Sequence, residues 1–164
     1  MGRPRKQGLS MDLATILRPQ AVKHVSDISS KKRLMQAVAE IASDLTGLTA
    51  SDISAALLDR ENLGPTGFGH GVALPHARLE ELTGVQGVFL KLEKPIEFDS
   101  VDRQPVDLVF ALFAPEEAGT EHLKALALVS RTLRSSNLCE KLRANSDVSA
   151  LHSLLTEARS PQAA

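Results

Sequence analysis

The fold of this chain is decided by residues 106–113, whose sequence is VDLVFALF. Every residue from Leu108 to Ala114 is apolar, and Pro115 ends the run. A strand with apolar side chains on both faces is typical of a sheet that is covered on both sides. We therefore expect residues 106–113 to form a central strand between layers of helices.

Helical and strand patterns alternate on either side of this strand. Ser29 or Ser30 and Thr49 are suited to cap the starts of two helices, and Gly47 to end the first. The pattern predicts these two helices, which end at Gly47 and near Gly64, a third from Thr120, two shorter ones over Ser136–Arg143 and Val148–Glu157, and strands over Val72–Leu74 and Val85–Leu92. This order predicts a single α/β domain, with a mixed β-sheet flanked by helices on both faces.

Two further expectations concern the details of these elements. Pro95 and Asp99 are expected to interrupt the strand pattern between the second strand and the central strand, because proline has no backbone N–H group to donate to a neighbouring strand. The helix from Thr120 is expected to turn an apolar face inward. That face comprises Leu123, Leu126, Ala127, Ser130 and Leu133.

Length and charge indicate one folded domain with polar ends. The chain has 164 residues, of which 43% are hydrophobic, which suffices for one well-buried core. We expect residues 1–10 to be a disordered basic tail, residues 11–158 to be the domain and residues 159–164 to be frayed. The chain contains 19 Lys and Arg against 20 Asp and Glu, and Arg3, Arg5 and Lys6 lie in the tail. The domain is therefore acidic overall, which argues against a nucleic-acid partner.

Cysteine and hydropathy patterns exclude several classes of protein. Cys139 is the only cysteine, so an internal disulfide and a cysteine-based zinc cluster are both excluded. His70 and His76 lie six residues apart with no obvious third ligand, and we expect neither a metal nor a cofactor. No apolar run approaches the roughly 20 residues of a membrane-spanning helix. We therefore expect a cytoplasmic protein without membrane insertion.

The least ordinary stretch is residues 60–78, which read RENLGPTGFGHGVALPHAR. Half of residues 64–71 are glycine, and such a stretch suits either a plain turn or a loop that approaches a ligand closely. The glycine spacing fits neither a P-loop nor a dinucleotide fingerprint. No nucleophile elbow and no zinc-protease motif is present either.

Histidine chemistry is the better hypothesis for this stretch. A neutral imidazole nitrogen can attack phosphorus, and with a pKa near 6.5 much of the ring is neutral at pH 7. His76 follows the rigid Pro75, while His122 lies in the first turn of a predicted helix, where N–H groups favour a bound anion. Arg60 can offer a guanidinium fork to phosphoryl oxygens. Spacing alone does not bring these three residues together.

Three segments carry a resemblance to a known family. They are residues 63–76 (LGPTGFGHGVALPH), 103–115 (RQPVDLVFALFAP) and 121–126 (EHLKAL). Together they resemble the phosphotransferase-system enzyme IIA proteins of the mannitol, fructose and nitrogen-regulatory type, and the similarity extends over about residues 11–157. The family fold, a mixed sheet flanked by helices, agrees with the pattern above.

The resemblance implies a role for each of the three candidate residues. His76 matches the histidine that accepts the phosphoryl group, and His122 matches the second histidine of the active site. Arg60 matches the arginine of the R-E-x-L-G element, which steadies the phosphorylated state. His70 stands where relatives often carry Asn or an acidic residue, and it is either a rim residue of the pocket or an ordinary exposed loop histidine. Pro65 replaces the usual serine.

The same resemblance implies partners and a branch of the family. The phosphoryl donor would be a small histidine-phosphorylated carrier protein, charged in turn from phosphoenolpyruvate by enzyme I. The absence of a second domain favours a stand-alone nitrogen-regulatory IIA, whose phosphorylation state controls regulatory partners such as sensor kinases or potassium-transport components. A sugar-specific IIA that passes phosphate to a IIB domain is the first alternative. A protein-binding module that is never phosphorylated and a metal-dependent hydrolase are the others.

Overall fold

The computed structural model describes residues 11–157, so the expected basic tail and frayed C-terminus lie outside the described residues. Its helices are α1 (Leu13–Ile16), α2 (Lys31–Thr46), α3 (Ala50–Asn62), α4 (Thr120–Leu133), α5 (Ser136–Ala144) and α6 (Val148–Thr156). Its strands are β1 (Val22–Val25), β2 (Gly67–Gly69), β3 (Val72–Ala73), β4 (His76–Leu79), β5 (Gln86–Ile96) and β6 (Val106–Pro115).

The strands form one mixed sheet in the order β1-β5-β6-β3-β2, and β4 also pairs with β6. β5 and β6 are antiparallel, whereas β3 and β4 both run parallel to β6. Every side chain from Leu108 to Phe113 is fully buried. β6 is therefore covered on both faces, and the prediction of a mixed sheet between helices is confirmed.

Side-chain caps mark the starts of α2, α3 and α5. The side chains of Ser30, Thr49 and Ser135 each accept a hydrogen bond from a backbone N–H group in the first turn of the following helix. Gly47, with φ of 81°, ends α2 in the left-handed region. The predicted caps of α2 and α3 are thus the observed ones.

The strand that was expected over Val72–Leu74 is one residue shorter, and a second strand that was not predicted follows it. β3 ends at Ala73, and β4 begins at His76 on the same side of β6. Between them Leu112 donates its N–H to the Pro75 carbonyl at 3.0 Å, so the ladder continues past a residue that has no N–H of its own. His76 therefore opens a strand, where the sequence had placed it just after one.

Pro95 does not end the preceding strand as expected, because β5 continues through it to Ile96. The register of β5 against β6 shifts between Lys91 and Ile96, so Pro95 lies where no regular ladder bond is required. The short strands β1 and β2 and the short helix α1 were not predicted. β2 runs through the glycine-rich stretch, which has little of the side-chain pattern that predicts a strand.

The inner face of α4 was predicted wrongly. The residues buried against the core are His122, Ala125, Val129 and Leu133, of which only Leu133 was on the predicted face. Leu123 is 64% exposed. Apolar residues occupy two faces of this helix, and periodicity does not distinguish a core-facing side from one that borders a cavity.

Across residues 11–157, no helix is both long enough and apolar enough to cross a membrane.

Candidate active site

Three different elements bring the predicted site residues together. Arg60 lies in the last turn of α3, His76 opens β4, and His122 lies in the first turn of α4. The Arg60 Nε–H donates to His76 Nε2 at 3.2 Å. The rings of His76 and His122 meet edge to face, with 5.5 Å between centroids and an interplanar angle of 74°. The structure thus joins the three side chains that spacing left separate.

Two hydrogen bonds fix the orientation of the His76 ring. Nδ1 lies 2.8 Å from the carbonyl oxygen of Leu74, and a carbonyl only accepts, so Nδ1 is assigned the proton. Nε2 then carries the lone pair that accepts from Arg60. Burial lowers the pKa of His76, and the charge of Arg60 lowers it further, against the hydrogen bond to Leu74 that raises it. A neutral ring with a directed lone pair on Nε2 is the nucleophilic form of histidine.

His122 is held neutral beside it. Its side chain is buried, and burial, followed by the nearby His76 and Arg78, lowers its pKa to about 4. Its Nε2 is fully buried and has no hydrogen-bond partner among the described residues. A buried polar nitrogen without a partner costs stability, so this atom is suited to a group that arrives at the site.

Glu61 anchors the segment that follows α3, a role that was not predicted from the sequence. Although buried, its carboxylate accepts from the Thr66 N–H at 2.9 Å and from the Thr66 hydroxyl at 2.6 Å. Lys31 Nζ lies 2.9 Å from the same carboxylate. The sequence did contain a signal for Glu61, because it is the acidic residue of the same R-E-x-L-G element from which Arg60 was selected.

Arg60 and His76 line a large cavity of about 1070 Å³, whereas His122 is not among its lining residues. One wall carries Leu126, Ser130 and Leu133 of α4, which belong to the face that was expected to lie in the core. Arg134 and Arg143 also line the cavity and add positive charge to that of Arg60. The cavity lining thus combines apolar side chains with three arginines, and Glu140 is its only acidic residue among those described.

His70 is both exposed and part of the lining of this cavity. Its backbone adopts a left-handed φ of 57°, which is uncommon for a residue other than glycine. Asp102 Oδ2 accepts its N–H at 3.0 Å, and its carbonyl accepts from Arg143 Nη2 at 2.8 Å. Arg143 in turn is paired with Asp107 at 2.9 Å. These contacts fix the rim of the cavity in one shape.

The remaining histidines lie outside this cluster. His24 is 3.6 Å from Glu93, and His152 Nε2 is 3.0 Å from the Leu17 carbonyl. Within residues 11–157, no group of three or more His, Cys, Asp or Glu side chains is arranged to hold a metal ion.

The chain is similar to known proteins over most of its length. The family model described as "Phosphoenolpyruvate-dependent sugar phosphotransferase system, EIIA 2" matches residues 15–158. A nitrogen regulatory protein of Bradyrhizobium diazoefficiens is 45% identical over 145 residues, which are 88% of this chain and 95% of that protein.

Two solved structures show the same architecture. The crystal structure of nitrogen regulatory protein IIA-Ntr from Neisseria meningitidis is 32% identical, with a TM-score of 0.82 over 88% of this chain and 99% of that one. The mannitol IIA enzyme of Escherichia coli, solved in complex with phosphorylated mannitol IIB, is 20% identical with a TM-score of 0.72, over 87% of this chain and 99% of that one. The second likeness concerns the fold alone.

Proposed function

Because the chain belongs to the EIIA 2 family of the phosphoenolpyruvate-dependent phosphotransferase system, and is thus a phosphoryl carrier, we propose that His76 Nε2 is the atom that accepts the phosphoryl group. The observation that carries this proposal is the hydrogen bond between Nδ1 and the Leu74 carbonyl at 2.8 Å. It holds the proton on Nδ1 and leaves the lone pair on Nε2, facing Arg60 and the neighbouring His122.

The transfer exchanges one phosphorus–nitrogen bond for another. The hydrogen bond from the Arg60 Nε–H to Nε2 breaks, and the freed lone pair of Nε2 attacks the phosphorus carried by the histidine of the donor protein. The donor's P–N bond breaks, and its electron pair returns to the donor imidazole. The His76 ring gains positive charge as the new bond forms, and the Leu74 carbonyl stabilises that charge through the Nδ1–H that it already accepts.

Arg60 and His122 are positioned to bind the oxygens of the transferred group. The guanidinium of Arg60 already contacts the nucleophilic nitrogen, and its N–H groups match phosphoryl oxygens. His122 Nε2 has no partner among residues 11–157, and as a neutral ring it can donate one N–H. A hydrogen bond to a charged group contributes about 1.5–3 kcal/mol.

For the partners, we propose a small histidine-phosphorylated carrier as donor and regulatory proteins as recipients of the signal. The similarity to nitrogen regulatory proteins over nearly the whole chain supports this branch. Sensor kinases and potassium-transport components are the regulatory partners that we propose, in the cytoplasm. The alternative is a sugar-specific IIA that delivers phosphate to a IIB domain, in line with the partner of the mannitol enzyme.

Intact mass spectrometry tests the acceptor directly. The protein is incubated with phosphoenolpyruvate, enzyme I and the small carrier, beside His76→Ala, His122→Ala and a control variant, His24→Ala. We expect one acid-labile phosphoryl group on the parent and the control, none on His76→Ala, and a reduced level on His122→Ala. A parent chain that stays unmodified beside a charged carrier would refute the proposal and favour a protein-binding module.

A second incubation separates the two branches. The phosphorylated chain is mixed with purified fructose and mannitol IIB domains, and its mass is followed with time. Retention of the phosphoryl group in both mixtures supports the regulatory branch, whereas its transfer to either IIB domain supports the sugar-specific one.

A further inference from the structure

Arg60 connects the nucleophile to the loop that follows α3. Its Nε–H donates to His76 Nε2 at 3.2 Å, and its Nη1 donates to the Gly64 carbonyl at 3.0 Å. One guanidinium therefore spans from the reacting nitrogen to a backbone group. We propose that residues 63–65, here named the reporter loop, change conformation with the phosphorylation state of His76, and that Arg60 transmits the change. This inference rests on the proposed function of His76.

Phosphorylation removes the atom that Arg60 holds. The lone pair of Nε2 becomes the P–N bond, so the hydrogen bond from the Arg60 Nε–H to Nε2 is lost. Negatively charged phosphoryl oxygens then compete for the guanidinium, and they attract its positive charge more strongly than a neutral carbonyl oxygen does. The Gly64 carbonyl is a neutral acceptor, and it loses Arg60 in this competition.

The reporter loop and the residue that follows it are held by different numbers of contacts. Thr66, just beyond the loop, is fixed by two hydrogen bonds to Glu61, which is itself paired with Lys31. The Thr66 carbonyl also accepts the Leu74 N–H at 3.0 Å. Inside the loop, Gly64 is held by Arg60 and by its own N–H to the Glu61 carbonyl at 3.1 Å. Release of Arg60 therefore frees the loop and leaves Thr66 in place.

The surroundings of the loop leave room for this movement. No heavy atom lies within 4 Å of the position that a Cβ on Gly64 would take, and Pro65 is exposed. Leu63 is 84% exposed, the highest exposure among the large hydrophobic residues described. A movement of the loop displaces this leucine, so a protein that packs an apolar surface against Leu63 would bind the two states with different affinity.

Hydrogen exchange of single amides, followed by NMR, tests the inference. The amides of Leu63 and Gly64 report the loop, because they donate to the carbonyls of Arg60 and Glu61. The Thr66 amide, which donates to Glu61, is a control within the same segment. We expect phosphorylation to speed exchange of the first two by up to about tenfold, the effect of losing one hydrogen bond, and to leave Thr66 unchanged.

An unphosphorylated variant tests the role of Arg60 by itself. Arg60→Ala removes the link without adding a phosphoryl group, so it should raise exchange at Leu63 and Gly64 to the same extent. Arg131→Ala, an exposed arginine of α4, is the matched control and should change neither amide. Unchanged exchange in Arg60→Ala would overturn the inference.

The outcomes also separate this inference from the function on which it rests. A chain that mass spectrometry shows to be phosphorylated, but whose loop amides exchange as before, refutes the reporter loop alone. A chain that accepts no phosphoryl group refutes the proposed function and the state dependence together.

Discussion

His76 and His122 share one site, and burial lowers the pKa of each ring. The consequences differ because their hydrogen bonds differ. His76 has both ring nitrogens engaged, whereas the buried Nε2 of His122 has no partner among the described residues. One ring is thus oriented for attack, and the other is kept neutral beside it.

The pH dependence of stability follows from the pKa of His122. In the folded chain this pKa is about 4, below the ordinary 6.5, so between these values the unfolded state binds more protons. The free energy of unfolding should therefore fall as the pH drops from 6.5 to about 4, by up to about 3 kcal/mol at 1.36 kcal/mol per pKa unit. NMR titration of the ring measures the pKa itself.

His122→Gln provides the comparison for this prediction. It removes the titrating group, so its urea midpoint should depend less on pH than that of the parent over the same interval. The absence of Trp and Tyr requires that unfolding be followed by far-UV circular dichroism. Parallel pH curves for the two proteins would contradict the prediction.

At the scale of elements, a short ion-pair network links three segments near the site. Lys31 at the start of α2 contacts Glu61 of α3 at 2.9 Å and Asp99 of the β5–β6 connection at 3.7 Å. Its ammonium also lies 4.5 Å from the centroid of the Phe98 ring. The network holds α3 and the loop after it against the neighbouring chain segments.

Removing one partner of the Lys31–Glu61 ion pair should lower the free energy of unfolding. Lys31→Met leaves the Glu61 charge buried without its cation, and we expect about 3 kcal/mol of destabilisation, the order found when one partner of a buried pair is removed. Glu61→Gln should also destabilise. The double variant should lose less than the sum of the single losses, because it leaves no unpaired charge. Urea unfolding of the four proteins measures the coupling, and strict additivity would show that the pair is independent.

The packing of β2 against the loop at Ser100 explains one of the glycines in the glycine-rich stretch. A Cβ on Gly67 would lie 2.3 Å from the Ser100 hydroxyl and 3.2 Å from its Cα. Gly67→Ala should therefore destabilise the fold by about 1–3 kcal/mol through overpacking. Adding Ser100→Gly should recover part of the loss in thermal unfolding. Gly64→Ala, at a position with open space around it, is the matched control and should be nearly neutral.

At the scale of the whole molecule, charge is distributed unevenly. The chain has a net charge of −1, yet the described cavity lining carries three arginines, Arg60, Arg134 and Arg143, and one acidic residue, Glu140. Arg143 is paired with Asp107, so Arg60 and Arg134 supply most of the positive charge. A phosphorylated donor brings negative charge to this opening. Electrostatic complementarity of this kind acts mainly on the rate of association.

Charge reversal at the cavity should therefore slow phosphoryl transfer. Arg134→Glu is expected to lower the second-order rate of phosphorylation by the carrier about tenfold at low salt, with a smaller effect at high salt. Arg131→Glu makes the same change of charge three residues earlier, in the last turn of α4 and outside the cavity lining, and should have little effect. Timed mass spectrometry measures both rates. Equal slowing in the two variants would indicate a general effect of net charge.

Much of this protein was determined by the sequence taken alone. The apolar run of residues 108–114 requires a strand buried on both faces, and side-chain caps at Ser30 and Thr49 set helix starts, because these signals act between near neighbours. The motifs also singled out the proposed site residues His76, His122 and Arg60. The resemblance also predicted the family, since the glycine-rich frame and its Pro-His pair are specific.

The tertiary structure alone decided how these residues meet. The pairing of β3 and β4 with β6, the face of α4 that enters the core and the ion pair of Lys31 with Glu61 all depend on contacts between distant segments. The tautomer of His76 depends on the carbonyl of Leu74, two residues earlier, and on the Arg60 guanidinium, which comes from α3. Local pattern records which side chains are apolar or charged. Only tertiary packing determines which side chains contact one another, because the folded arrangement minimises the free energy of the whole chain.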